Sequence, residues 1–276
     1  MKIPQSVVLA IGHIVLLSGC ALTTDTKNII HPDPPSKMYA TADKYLTKGQ
    51  FETAAQKFEE LDRDHPYSTE ARRAIVMAAY AYFRAGKFSE AIATARRYTT
   101  VHPGTKNAAF AHHIIASSYF EEINGPKNDQ TNTRKALEEL EILKSRYPNS
   151  KYAIQSDNRI RIARDNLAAN EMEVGRYYLN KRRYTAAINR FKVVVRSYQD
   201  TKHIEEALMR LTEVYLAIGI RNEAQNATAI LGYNFPNSRW YKDAYDLLKS
   251  DGLSPRQDTD SWLSHAWKDI KLTSAR

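Results

Sequence analysis

Cysteine occurs once in the 276 residues, at Cys20, so no disulfide can form within the chain. That excludes a small core stapled by bridges and leaves a lone thiol without a redox partner. Beyond the first twenty residues no stretch is apolar enough to span a bilayer. The motifs of common catalysis are missing too: no G-x-S-x-G, no G-x-G-x-x-G, no phosphate-binding loop and no H-E-x-x-H. His112 and His113 are adjacent, and helix neighbours point about 100° apart, so they do not chelate one ion. No metal site and no enzymatic activity are expected. Lysine and arginine number 40 against 31 aspartates and glutamates, but they are dispersed rather than clustered. That distribution disfavours nucleic acid and suits anionic head groups or an acidic partner.

Lys2 followed by the apolar run Val7 to Leu17 reads as a secretory signal over residues 1–19. The segment Leu17-Ser18-Gly19-Cys20 places small residues before a cysteine at which the mature chain would begin. It resembles the lipobox of bacterial lipoproteins. The resemblance implies a diacylglyceryl group on the Cys20 thiol and an acyl chain such as palmitate on its freed amine, with no other cofactor. An ordinary signal peptide with a chance cysteine is the alternative. Ala21, where inner-membrane lipoproteins often carry Asp, implies sorting to the periplasmic face of the outer membrane. Loss of residues 1–19 removes Lys2 and takes the formal net charge from +9 to +8. Residues 20–35, with Pro32, Pro34 and Pro35, show no period and read as a tether of up to roughly 50 Å.

From Ser36 onward the chain repeats. Tyr45, Tyr82 and Tyr119 step by 37 residues, as do Ala42, Ala79 and Ala116; Tyr178 and Tyr215 differ by the same 37. A fixed step of this length marks a solenoid. Within the first, second, fourth and fifth units a Tyr is followed nine residues later by Ala (Ala54, Ala91, Ala187, Ala224), with a break between them such as Lys48-Gly49 or Lys181-Arg182. Twelve residues after the unit's Ala, Ala136 in the third, comes Pro66, Pro103, Pro148 or Pro236, with Gln199 standing in the fourth unit. Each unit is therefore helix A, turn, helix B, stop. The pattern resembles the tetratricopeptide repeat. The expected fold is an all-α, TPR-like helical solenoid of about five helix-turn-helix repeats with a capping C-terminal helix.

Two irregularities divide the array. In the third unit Tyr119 and Ala136 are 17 apart, so eight residues are inserted around Asn124 to Thr133, read as a polar surface loop. Between Pro148 and Tyr178 lie 14 residues more than between Pro66 and Tyr82, about four helical turns. An extended or additional helix over Tyr152 to Ala169 is expected there. The divisions are then an N-terminal half of three repeats at 36–150, a C-terminal half of two repeats and a cap at 151–250, and a tail at 251–276. Trp240 to Lys249 reads as the cap, and residues 250–260 as a loop. Trp262, Leu263, Ala266 and Ile270 share one helical face, which docks either on the array or on a partner. His65 and His102 read as structural residues at helix ends, and Glu138-Glu139-Glu141 as a solvated face.

Helices A of such arrays line a groove for extended peptides. The groove-facing positions of the first three units are Tyr39, Tyr80, Phe83, Arg84, Phe110 and Phe120, an aromatic lining with a cation suited to a peptide bearing aromatic side chains and a terminal carboxylate. For each ring, packing between helices is the alternative. The C-terminal half has Met172, Arg176, Met209 and Leu216 at equivalent places.

The lipobox, the tether, the insertion, Arg146-Tyr147-Pro148-Asn149-Ser150, Asn170-Glu171, Gly175-Arg176-Tyr177-Tyr178 and Tyr184-Thr185-Ala186-Ala187 together resemble the BamD (ComL) family. The resemblance implies a lipoprotein scaffold subunit of the β-barrel assembly machinery, the BAM complex. It implies that the N-terminal repeats receive the C-terminal signals of unfolded outer-membrane proteins. It also implies that the C-terminal repeats dock on the periplasmic domains of the barrel subunit BamA, beside other subunits, with Arg190 and Arg196 as candidate contacts. Arg196 as a partner of its own helix dipole is the alternative. Competing functions are an envelope lipoprotein that binds peptidoglycan or assists DNA uptake, and a pilot for a secretin or pilus.

Overall fold

A computed structural model describes residues 32–267. The signal segment, Cys20, most of the tether and Ile270 lie outside the described residues. Five hairpins follow in order: α1 (Pro35–Thr47) with α2 (Phe51–Asp64), α3 (Thr69–Arg84) with α4 (Phe88–Val101), α5 (Ala108–Glu121) with α6 (Thr131–Arg146), α8 (Asp157–Asn180) with α9 (Tyr184–Ser197), and α10 (Ile204–Ala217) with α11 (Arg221–Asn234). The short α7 (Lys151–Ile154) precedes the fourth hairpin and α12 (Arg239–Ser250) follows the fifth. A last helical turn spans 262–267. No helix among the described residues is long and apolar enough to cross a membrane.

The helix boundaries follow from local chemistry. Three A–B turns place glycine in the left-handed region, Gly49 (φ 75°), Gly86 (φ 74°) and Gly219 (φ 79°). In the fourth repeat Arg182 occupies it at φ 55°, where a β-carbon is crowded. Helices B end at His65, His102, Tyr147, Tyr198 and Phe235, each with φ near −130° and its N–H returned to the carbonyl four residues back. Proline after four of these residues disfavours helical backbone at the residue before it. Tyr198 adopts the same geometry before Gln199, whose Nε2 donates to the Val195 and Ala266 carbonyls instead. Ser68, Ser150 and Ser238 cap α3, α7 and α12 by accepting backbone N–H groups at 3.0–3.1 Å.

Each repeat buries a small residue of helix A and the fourth residue after the helix-B alanine: Ala42 and Phe58, Ala79 and Ala95, Ala116 and Leu140, Gly175 and Phe191, and Thr212 and Thr228. The last two pairs are in direct contact. A β-carbon on Gly175 would meet the Phe191 ring at 2.4 Å, so only glycine fits. Thr212 and Thr228 use the same closeness for a 3.0 Å hydrogen bond between their hydroxyls. Complete burial of a Phe ring at such a position stabilises by about 2–3 kcal/mol. In the first three repeats successive A helices also touch (α1 with α3, α3 with α5), and α10 touches the cap α12, whereas successive B helices make at most marginal contact. Helices A thus form the inner layer of the first three repeats.

One expectation changes, one gains detail and one open alternative is decided. The helix over Tyr152–Ala169 is broken: α7 stops at Ile154, and Ser156 donates its hydroxyl to the Ala153 carbonyl before α8 starts and runs on as helix A of the fourth repeat. The polar insertion is strapped down. Buried Gln130 donates to the Gly125 and Asn128 carbonyls, and from α8 Asn166 donates to Gln130 and Asn170 to the Pro126 carbonyl. The C-terminal turn docks on the array itself: Leu263 is fully buried, Trp262 Nε1 donates to the Tyr215 hydroxyl at 3.1 Å, and Asn226 bonds Ser264 at 3.1 Å.

Gly175→Ala is expected to lower unfolding stability by about 1–3 kcal/mol through overpacking against Phe191. Arg182→Gly is expected to raise it by about 1 kcal/mol by relieving the left-handed residue. Urea denaturation of both variants checks the two signs.

Candidate functional site

The inner layer of the first three repeats carries the six groove residues, and the structure sorts them. Tyr80 of α3 tilts against Phe110 of α5 with centroids 5.6 Å apart, and Phe110 stacks on Tyr152 of α7 at 5.1 Å. His113 stacks on Tyr152 at 4.8 Å. Tyr80, Phe110, His113 and Tyr152 are therefore one continuous train of rings across three helices. Arg84 closes one end: its Nη1 donates to the Tyr80 hydroxyl at 2.8 Å and its guanidinium lies 4.5 Å above Phe51. At the other end the Lys151 ammonium sits 5.1 Å over Tyr152.

The other three lie apart from the train. Tyr39 packs edge-on to Phe58 at 5.3 Å beneath Arg73, and burial raises its hydroxyl pKa. Phe83 leans on Phe88 at 5.9 Å, and Phe120 lies 5.5 Å beneath Arg159. All six rings and cations thus have partners inside the chain, yet Tyr39, Tyr80, Phe83, Phe110 and Phe120 keep part of their surface open and Arg84 is exposed. The arrangement supplies half-open aromatic faces with guanidinium and ammonium groups on them, which accommodates aromatic side chains and a carboxylate.

Tyr152, His113, Lys151 and Arg159 were missed by pattern reading. One signal did point to Tyr152. Pro148-Asn149-Ser150-Lys151-Tyr152 matches Pro236-Asn237-Ser238-Arg239-Trp240, a serine-capped helix start with a cation over an aromatic in each case. Glu139, read as solvated, is buried instead; its carboxylate meets His112 Nδ1 at 2.8 Å and Arg96 at 3.5 Å, an ionic tie between the third hairpin and α4. Among the described residues no cluster of His, Cys, Asp or Glu has metal-binding geometry.

The two candidate partner-docking arginines on α9 are also engaged. Arg190 pairs with Glu171 at 3.1 Å, and Arg196 lies 5.3 Å over the Trp262 ring, which Lys192 also covers at 4.2 Å. Both arginines remain exposed. A cleft of about 670 Å³ beside α8, lined by Pro126, Ile162, Asp165, Lys202 and His203, holds mutually paired charges, with Lys202 bonded to Asp165 at 2.9 Å.

A family model described as YfiO, outer membrane lipoprotein, matches residues 31–231. The chain belongs to this family. Relatives named "Outer membrane protein assembly factor BamD" include that of Caulobacter vibrioides, 40% identical over 253 residues, covering 91% of this chain and 83% of the relative. That of Rickettsia prowazekii is 37% identical over 245 residues, covering 89% and 96%. That of Neisseria meningitidis serogroup A is 31% identical over 254 residues, covering 87% and 95%. The family match includes all six groove residues and both α9 arginines.

Burial, reinforced by Arg159 and Lys151, pushes the His113 pKa down to about 4. The unfolded imidazole takes its proton near 6.5 while the folded one resists until about 4, so His113 favours the folded state above pH 6.5 and loses that contribution on acidification through this window. Melting curves between pH 7 and 4 are expected to fall less steeply for His113→Gln than for the natural chain, by on the order of 2 kcal/mol at the acid end.

Proposed function

We propose that the chain is a lipid-anchored, non-enzymatic scaffold subunit of the outer-membrane β-barrel assembly machinery. Cys20 carries the anchor, and the array stands at the periplasmic face of the outer membrane. Membership of an outer membrane lipoprotein family whose relatives bear the assembly-factor name carries this reading. In it, the inner layer of the first three repeats receives the C-terminal segments of unfolded outer-membrane proteins. Tyr80, Phe110 and Tyr152 offer ring faces to aromatic side chains, and Arg84 offers a fork to the terminal carboxylate. Tyr39, Phe83 and Phe120 extend the lining along the same layer. The fourth and fifth repeats, with Arg190 on α9, face the periplasmic domains of the barrel subunit BamA. Arg190 is tied to Glu171 and Arg196 lies over Trp262, and both keep exposed surface for that contact.

Mild detergent extraction is expected to bring a large outer-membrane barrel protein down with the tagged chain, and its absence would contradict the assembly role. For the peptide face, Arg84→Ala is expected to weaken a carboxylate-ended aromatic peptide about tenfold or more, the scale of a lost charge-assisted hydrogen bond. The same peptide with an amidated end should bind both chains alike. Equal carboxylate affinity in a fluorescence titration would remove Arg84 from the site.

A further inference from the structure

We infer that the A–B turn edge of the fourth and fifth repeats is a docking surface for an anionic lipid bilayer. The turn after α8 presents Lys181, Arg182 and Arg183 in succession, and the turn after α10 presents Ile218, Gly219, Ile220 and Arg221. Helices α8 to α11 pack each against the next and are joined by short connections, so both A–B turns lie at the same end of the layer. The four basic side chains are exposed, and none has an ion pair or side-chain hydrogen bond among the described residues. Beside them Tyr177, Ile218 and Ile220 are 60%, 38% and 44% exposed. Cations next to open aliphatic and aromatic side chains form the pattern that settles at a head-group boundary.

Three observations make this more than a solvated charge run. First, Arg182 holds the left-handed position that glycine fills in the turns of the first, second and fifth repeats. The backbone would be better served by glycine, so what the side chain contributes there is charge. Second, the acids nearest in sequence are engaged elsewhere: Glu173 with Arg176, Glu213 with Arg210 and Glu223 with Ser261. Asp251, Asp258 and Asp260 follow α12, and residues 256–258 pack on the first turns of α11, but none of these acids forms an ion pair with the four cations, which outnumber them. Third, the chain outside the described residues includes Cys20, the proposed lipid anchor. A tether of about fifteen residues spans at most about 50 Å, so an anchored array stays within that reach of the bilayer and meets it at high effective concentration. An acidic protein face would match the charge, but the exposed Tyr and Ile side chains fit the acyl boundary of a bilayer better. The inference draws on the proposed anchor and not on the assembly role.

The test uses the mature chain from residue 20 with Cys20→Ser, so that no acyl chain contributes, and vesicles of equal parts phosphatidylethanolamine and phosphatidylglycerol. Sedimentation with these vesicles at low salt is expected, with loss at high salt and little binding to pure phosphatidylcholine vesicles. Each basic residue near such a surface is worth about fivefold in partitioning. Arg182→Gly alone should thus bind about fivefold more weakly while melting higher, which separates charge from fold. Lys181→Gln with Arg182→Gly, Arg183→Gln and Arg221→Gln should lose about a hundredfold or more. Ile218→Ser with Ile220→Ser should bind several-fold more weakly at the same charge. No binding of the natural surface to phosphatidylglycerol vesicles, equal binding to phosphatidylcholine, or undiminished binding of the neutralised variant would overturn the proposal. The first of these results would leave an acidic protein as the occupant of the edge.

Discussion

Phe191 lies where the β-carbon of any residue but glycine at position 175 would stand. This closeness of helix A to helix B, seen again where Thr212 meets Thr228, is what the remaining structure depends on. Where helix B offers a large ring or Leu, helix A offers Gly or Ala; in the fifth repeat two threonines meet by a hydrogen bond. Interiors packed at crystal-like density tolerate little change of volume. The spacing of the two layers is thereby fixed, and with it the contact among α1, α3 and α5 that makes them the inner face of the first three repeats. The ring train assembled from three different helices depends on that rigidity to keep its mutual distances.

Much of this was legible in the sequence because a solenoid writes its packing as a period. The 37-residue step and the Tyr-to-Ala and Ala-to-Pro offsets locate the five hairpins and their turns to within a residue or two. What escaped was set by contacts across repeats. Glu139 sits in an acidic run, and only the approach of His112 and Arg96 makes it an interior ion partner. The insertion looked like a polar excursion until Asn166 and Asn170, more than thirty residues away, were seen to bind it. The break between α7 and α8 rests on one serine hydroxyl, a competition that hydrophobic periodicity does not record. Of the candidate site, the groove positions fall on α1, α3 and α5. Tyr80 and Phe110 come together as one train with Tyr152, whereas Tyr39, Phe83 and Phe120 are held by other neighbours.

The two halves of the array offer different chemistry on the same architecture. The first three repeats place aromatic faces under cations, each ring half committed to its neighbour and half open. The last two place bare cations and apolar side chains at a turn edge and use their own aromatics, Trp262 and Trp240, to hold Lys192, Arg196, Arg210 and Arg239. In the proposed function a lipid at Cys20 supplies location, and the array presents one face to an unfolded chain and one edge to charge. The family relationship places the chain in outer-membrane protein assembly.

The central claim is that the inner layer of the first three repeats receives the unfolded client. Photo-crosslinking in living cells tests it most directly, with a photoreactive residue in place of Tyr80 on α3 and, in a second strain, of Lys57 on α2. Crosslinks from position 80 to the C-terminal segments of outer-membrane β-barrel proteins, with none from position 57, are the predicted result. Equal capture from both positions, or capture from position 57 alone, would contradict the account.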